Sequence, residues 1–346
     1  MHSKIKWAWI VSLVAAICLS ASLLAQSTHA LIVTSASGED QFKEQFWDWG
    51  MRLKHVLTEQ MRVPKENVLF LFEDPSKGAS LVFGKSTRSE LTRAAEELGG
   101  AAKAGDLVLI VLLGHGSYDG LTYKFNLVGP DVTTADLEQL LDRFSRQQVV
   151  LVAATPCSGG LTRTLAGKNR VIMAATKSEL ENNQTVFGGF FVEAFENQVA
   201  DSDKSGRVSM LEAYLFARKK VEDWYEERQK LATEHPLLED DGNGRASSVP
   251  SPQTGDGLLA GRLSPGPAIP PALAAYPVHT EGGVSAGNQK ELRELQAAKR
   301  KVEADIAALK YRKSSMEEAE YQKDLEKLLL ELARTDNRIR ELEKPK

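Results

Sequence analysis

The stretch DLVLIVLLGHGS, residues 106–117, decides the architecture of this chain. Seven large apolar residues run without a break from Leu107 to Leu113. The run is far too short to cross a bilayer, which takes about 20 residues. It lacks the polar alternation of a half-exposed strand, so it reads as a strand covered on both faces, the habit of parallel sheets. It stops at Gly114-His115-Gly116-Ser117. Working outward, HALIVTS (29–35), VLFLF (68–72), VVLVAA (149–154) and RVIMAAT (170–176) read as four more buried strands. Helical spacing fills the gaps. Phe42, Phe46, Trp49, Leu53 and Leu57 share one face over 40–61. Thr87-Arg-Ser-Glu90 opens a helix that ends near Gly99-Gly100. Leu137, Leu140, Leu141 and Phe144 face inward over 133–144. Strands alternating with helices predict an α/β fold with a mostly parallel sheet flanked by helices.

The 346 residues carry 43 Lys+Arg against 47 Asp+Glu, a net charge of −4, which excludes a polycation and argues against a nucleic-acid partner. The first residues read as an export signal. Lys4 and Lys6 precede an uncharged apolar run over 7–25, and small-residue cleavage sites follow Ala25 and Ala30. The expectation is a removable leader over 1–30 and an exported protein, periplasmic or secreted. Left uncleaved, the same segment would be a membrane anchor. Cleavage also removes Cys18, one of only two cysteines. The remaining Cys157 then has no partner for an internal disulfide.

Cys157 follows the strand 149–154 in Thr155-Pro-Cys-Ser-Gly-Gly160, and His115 follows the strand 106–113. In an open α/β sheet ligands bind beyond the carboxyl ends of the strands, and parallel neighbours lie about 5 Å apart. The two loops can therefore bring an imidazole to a thiol, the pairing that makes a cysteine nucleophilic. The amides of Gly116 and Cys157 are candidate oxyanion donors.

An apolar strand ending in GHGS, followed by a strand ending in PCSGG, resembles the caspase–haemoglobinase cysteine peptidases, and most closely the legumain-like family. The resemblance covers about residues 30–200. It implies a caspase-like domain over 31–200 in which His115 is the general base, Cys157 the nucleophile, and Gly116 an oxyanion donor beside the Cys157 amide. It also implies peptide or protein substrates, no catalytic metal, and cleavage after a specific P1 residue, often Asn, Asp, Lys or Arg. The sequence departs from the family pattern at Pro156 and in the spacing from Cys157 to the glycine pair.

Within 177–185, Glu179 and Glu181 could pair with a basic P1 side chain, and Asn182 or Asn183 could bind an amide. Asp119 is a further candidate for the pocket. Asp201-Ser-Asp203-Lys-Ser205-Gly-Arg207-Val-Ser209-Met-Leu-Glu212 fits a 12-residue EF-hand loop. Asp201, Asp203, Ser205, Ser209 and Glu212 supply oxygen side chains, and Arg207 a backbone carbonyl. That predicts a structural calcium ion in an EF-hand-like helical extension over 201–245. Asp240-Asp241-Gly-Asn243-Gly is too brief to count as a second loop.

Seven of the 13 prolines fall within 246–287, which reads as a disordered linker. Beyond it, 288–346 reads as a helical hairpin or coiled coil, with Leu292, Leu295, Val302, Ile306 and Leu309 on one arm. Tyr321, Leu325, Leu328, Leu332, Thr335, Ile339 and Leu342 line the other. Each narrow stripe needs a partner: the other arm, a second copy or another protein. The reading is thus an exported cysteine endopeptidase. Its rivals are a non-catalytic binding module working through the hairpin, and a transpeptidase using the same dyad.

Overall fold

A computed structural model describes residues 26–250, 255–266 and 318–343, with 295, 302 and 309 as isolated positions. Residues 1–25 of the expected leader therefore lie outside the described residues, as do most of the first hairpin arm and residues 267–287. The chain divides into two compact units, Met1–Pro277 and Val278–Lys346.

In the first unit the strands are β1 (Thr28–Thr34), β2 (Val68–Phe72), β3 (Gly84–Lys85), β4 (Leu107–Leu113), β5 (Gly116–Tyr118), β6 (Tyr123–Phe125), β7 (Val132–Thr133), β8 (Gln148–Ala154), β9 (Arg170–Ala174) and β10 (Leu237–Glu239). The helices are α1 (Asp40–His55), α2 (Arg88–Ala101), α3 (Thr134–Asp142), α4 (Leu161–Thr164), α5 (Phe187–Glu193) and α6 (Met210–Glu227). A seven-stranded sheet runs β10-β9-β8-β4-β1-β2-β3, parallel throughout except for β10, which lies antiparallel to β9. The five strands read from the sequence form its centre.

Why β4 is apolar throughout is now visible. Leu107, Leu109, Val111 and Leu113 join one core with Phe46, Trp49 and Leu53 of α1, Phe187 and Phe191 of α5, and Tyr214 of α6. Val108, Ile110 and Leu112 join the opposite core with Leu91 and Leu98 of α2 and Leu137 and Leu141 of α3. Alternate side chains leave opposite faces of a strand, so a strand covered twice has no polar position to spare. Capping follows the same local logic. Thr87 Oγ1 accepts from Glu90 N, but the Glu90 carboxylate turns to Arg93, so only half the box forms. Thr133 and Asp136 close a complete capping box on α3.

Three segments differ from the sequence reading. The supposed extension at 201–245 is built into the sheet domain: α6 packs beside α5, and β10 adds the seventh strand. The supposed linker is folded in part. Leu263 O accepts from Met210 N at 2.8 Å, and Gly266 N donates to Thr28 Oγ1 at 3.0 Å. Finally, β1 begins at Thr28, inside the 1–30 segment, with Thr28, His29 and Ala30 in register with Leu107, Val108 and Leu109. His29 Nε2 lies 3.3 Å from buried Asp106. Cutting after Ala30 would remove three paired residues from a central strand, whereas cutting after Ala25 would leave the strand whole.

In the second unit α7 (Glu318–Glu343) spans 26 residues, about 39 Å of helix. Tyr321, Asp324, Leu325, Leu328, Leu332 and Thr335 are less exposed, whereas Leu329 and Leu330 are exposed. The stripe read from the sequence is thus the less exposed side over 321–335, and its last two members, Ile339 and Leu342, lie outside the described side chains.

Candidate functional site

The sheet fixes where a ligand can sit. From β1 the chain moves outward through β2 and β3, then returns to the other side of β1 and continues through β4, β8 and β9. The order reverses between β1 and β4, and such a switch point opens a crevice beyond the strand ends. The loop after β4 carries His115. The loop after β8, the next strand over, carries Cys157, with Leu113 and Ala154 level at the strand ends.

His115 is held by the loop after β1. Its backbone N donates to Ser35 Oγ at 2.8 Å, and Nε2 lies 3.1 Å from Ser37 O. A carbonyl only accepts, so Nε2 carries the proton and, in the neutral ring, Nδ1 holds the lone pair of a base. Ser37 is itself fixed by Glu73, which accepts from its N at 2.8 Å and its Oγ at 2.7 Å. Phe42 and Phe46 of α1 meet the imidazole edge-on at 4.9 and 5.1 Å. Ser35, Ser37 and Glu73 escaped the sequence reading. The signal for the serines was their place directly after a buried strand.

The two loops touch. A Cβ at Gly116 would lie 2.7 Å from Pro156 O and 2.9 Å from Thr155 Oγ1, so only glycine lets the His115 loop rest on the Cys157 loop. Buried Tyr123 closes the contact, its OH 2.7 Å from Thr155 Oγ1. Cys157 sits on a sharp strand-to-helix turn with φ +59°, a left-handed conformation that costs a non-glycine residue about 1–2 kcal/mol. Ser158 fastens this turn to β9, donating to Thr155 O at 2.8 Å and accepting from Ala175 N at 3.1 Å.

The site is closed in this state. Cys157 is 2% exposed, and its amide donates to Glu181 O at 2.8 Å. The expected oxyanion donor at the Cys157 amide is therefore occupied here by the loop after β9. Burial pushes the thiol pKa up, and the Glu179 carboxylate pushes it further. Among the described residues no hydrogen bond joins the thiol to the imidazole, whose Nε2 is taken by Ser37.

The other candidates separate clearly. Glu179 lies against Gly160, and its charge reaches Cys157, so it belongs to the site. Glu181 does not present its carboxylate to a pocket. It accepts from Lys177 N at 2.9 Å and pairs with His235 Nδ1 at 2.5 Å, tying the loop down. Asn183 is exposed. Asp119 shapes the β5–β6 turn, accepting from Leu121 N and Thr122 N and pairing with Lys124, which holds its carboxyl well below the usual range.

In the 201–212 loop, carboxylate oxygens of Asp201, Asp203 and Glu212 come within 4.8 Å of one another. Asp201 accepts from Ser205 N and Gly206 N, and Ser205 Oγ donates to Arg207 O. Glu212 Oε2 closes a capping box with Ser209, and Oε1 accepts from Ser202 N.

Next to the Glu181 tether, Glu234 accepts from Val186 N and Phe187 N, both at 2.8 Å. Burial, with Glu181 adding, raises its pKa to about 8. A carboxyl raised above its unfolded value of about 4.3 contributes fully below that value and loses its contribution as pH climbs through about 8. The unfolding midpoint is therefore expected to fall between about pH 5 and 8 more steeply in the wild type than in Glu234→Gln. Parallel melting curves would discard this assignment.

No protein-family model matches the chain, and a comparison with curated proteins finds no match.

Proposed function

We propose that this chain is a cysteine endopeptidase with a caspase-like domain, exported once its leader is cut after Ala25. The observation that carries the reading is the meeting of the His115 and Cys157 loops beyond the adjacent ends of β4 and β8, next to the switch point of a parallel sheet. The tautomer enforced by Ser37 O supports it, since it leaves Nδ1 as the base. The strained backbone at Cys157 supports it too. The thiol rests protonated. As substrate displaces the Glu181 carbonyl from the Cys157 amide, that amide becomes free for the oxyanion, and His115 Nδ1 takes the thiol proton. The thiolate forms a bond to the scissile carbonyl carbon. The C–N bond then breaks as His115 returns the proton to the leaving amine, and water hydrolyses the thioester. A transpeptidase would differ only in the final acceptor. A structural calcium ion in the 201–212 loop belongs to the same reading, on its ligand pattern and oxygen spacing.

Glu179 is the acid that remains at the thiol once Glu181 is assigned to the tether, and it favours a cationic P1 side chain. A P1-diverse fluorogenic peptide library tests both points. Cleavage after Lys or Arg is expected, with kcat/KM for those peptides reduced about tenfold or more in Glu179→Gln. An unchanged preference in that variant would move the pocket elsewhere. A folded protein that cleaves no peptide would hand the lead to a binding module acting through the C-terminal helices.

A further inference from the structure

A second group of acids lies at the end of β10, away from the 201–212 loop in sequence. Glu239, Asp241 and Asp256 bring carboxylate oxygens within 4.8 Å of one another. Oxygens bound at 2.3–2.6 Å to one calcium ion lie at most about 5 Å apart, so the spacing fits a single shared ion. Glu239 is fully buried. Its Oε1 accepts from Gly244 N at 3.1 Å, but its Oε2 has no hydrogen-bond partner among the described residues. A buried carboxylate oxygen left without a donor costs several times what a satisfied one does, and the common remedies are a proton or a cation.

No cationic side chain supplies the remedy. Among the described residues, no lysine or arginine forms an ion pair with Glu239, Asp240, Asp241 or Asp256. The neighbouring Asp240 is satisfied separately, accepting from Gly257 N and Ala260 N, both at 2.7 Å. Asp256 accepts from Asp240 N at 3.0 Å. Asp241 is exposed, which leaves the cluster a way in from solvent. Burial and mutual repulsion raise the pKa of Glu239 to about 7 and that of Asp256 to about 6, as expected for carboxylates gathered without a counter-charge.

We propose that Glu239, Asp241 and Asp256 form a second cation site that takes calcium. All three donors are carboxylates with no imidazole or thiolate among them, which selects a hard cation over zinc. Three carboxylates from the end of β10, the loop after it and the turn at 255–266 offer up to six oxygens at uneven spacing. That suits the 6–8 ligands and loose geometry of calcium better than the strict octahedron of magnesium. The ion joins the end of β10 to the folded turn at 255–266. That turn in turn holds the start of α6 through Met210 N and Leu211 N. The site is a clasp between the sheet edge and the segment that follows it.

The test uses the full mature chain, stripped with a chelator and titrated with calcium or magnesium, read by calorimetric stoichiometry and by unfolding midpoint. Asp203→Asn serves as the background that disables the 201–212 loop. In that background calcium is expected to bind with one equivalent and raise the midpoint by several degrees near saturation, with magnesium much weaker. Adding Asp241→Asn, at an exposed position that spares the core, is expected to weaken this binding about tenfold or more. Glu239→Gln is expected to lose the calcium response while unfolding at a higher temperature than its parent in chelator, because it removes an unpaired buried carboxylate. Calcium binding and stabilisation that survive both substitutions would overturn the site, and so would a background protein that binds no calcium.

Discussion

Alanine at Cys157 is expected to lower peptide turnover by at least about 10³-fold while leaving the protein folded. The loss follows from chemistry, because no other described side chain at the crevice can form a thioester, and nucleophile deletions in acyl-transfer enzymes reach or exceed this size. The small structural cost follows from geometry. Among the described residues Cys157 Sγ makes no hydrogen bond, and alanine tolerates the φ of +59° as poorly as cysteine does, so the strain is unchanged. One buried sulfur is lost, a penalty of about 1 kcal/mol. His115→Ala is expected to fall nearly as far, and the double variant no further, because the two residues act as one unit. Alkylation of the resting wild type supplies an independent check. With its pKa pushed up by burial and Glu179, the thiol is expected to react faster as pH rises, with no plateau near neutrality. Turnover that persists in Cys157→Ala would end the peptidase reading outright. A flat alkylation profile from pH 6 to 9 would show instead that the thiol is already ionised at rest.

The sheet was legible because burial on two faces leaves a plain mark. Leu107 to Leu113 could be nothing but a covered strand, and the same holds for 68–72 and 149–154. The short strands were not legible. Leu237 to Glu239 pairs with β9 through three residues, and Gly116 to Tyr118 pairs with β6 through three, too few for any periodicity to emerge. The folded turn at 255–266 was hidden by its composition. Its Gly, Pro and Ser look like linker, yet Asp256 and Leu263 dock it through contacts with residues 16 and 53 positions away. Within the site, His115 and Cys157 were readable from their place after strands. What the sequence could not show was competition. Glu181 looked free to meet a substrate, but its carbonyl already holds the Cys157 amide and its carboxylate holds His235. Partners 24 and 54 residues apart leave no local pattern, and only the fold decides which donor reaches an acceptor first.

That competition makes Gly159 the position where a single methyl group should matter most. A Cβ there would fall 2.2 Å from Ser178 N and 2.3 Å from the carbonyl carbon of Lys177. Both are backbone atoms, so no side chain can swing aside, and the loop after β9 must move by about 1 Å or more to reach ordinary contact. The same loop supplies Thr176 Oγ1 to Gly159 N at 3.0 Å and Glu181 O to Cys157 N. Gly159→Ala is therefore expected to destabilise the protein by about 2–3 kcal/mol, read as a midpoint lower by roughly 5–10 °C. Peptide turnover is expected to fall by about 10²-fold, since displacement of about 1 Å at a reacting centre has that effect. Alkylation of Cys157 by a small neutral reagent should rise, because the displaced loop uncovers the thiol. Gly100→Ala is the control. A Cβ there meets nothing within 4 Å, and its place in α2 predicts a small gain in stability of about 0.5–1 kcal/mol. If Gly159→Ala loses stability and turnover while alkylation speeds up, the loop serves as both lid and wall: it shields the thiol at rest and shapes the site when substrate enters. If alkylation speeds up and turnover rises with it, the loop is a lid only, and Glu179 has to find its substrate contact after the lid has moved.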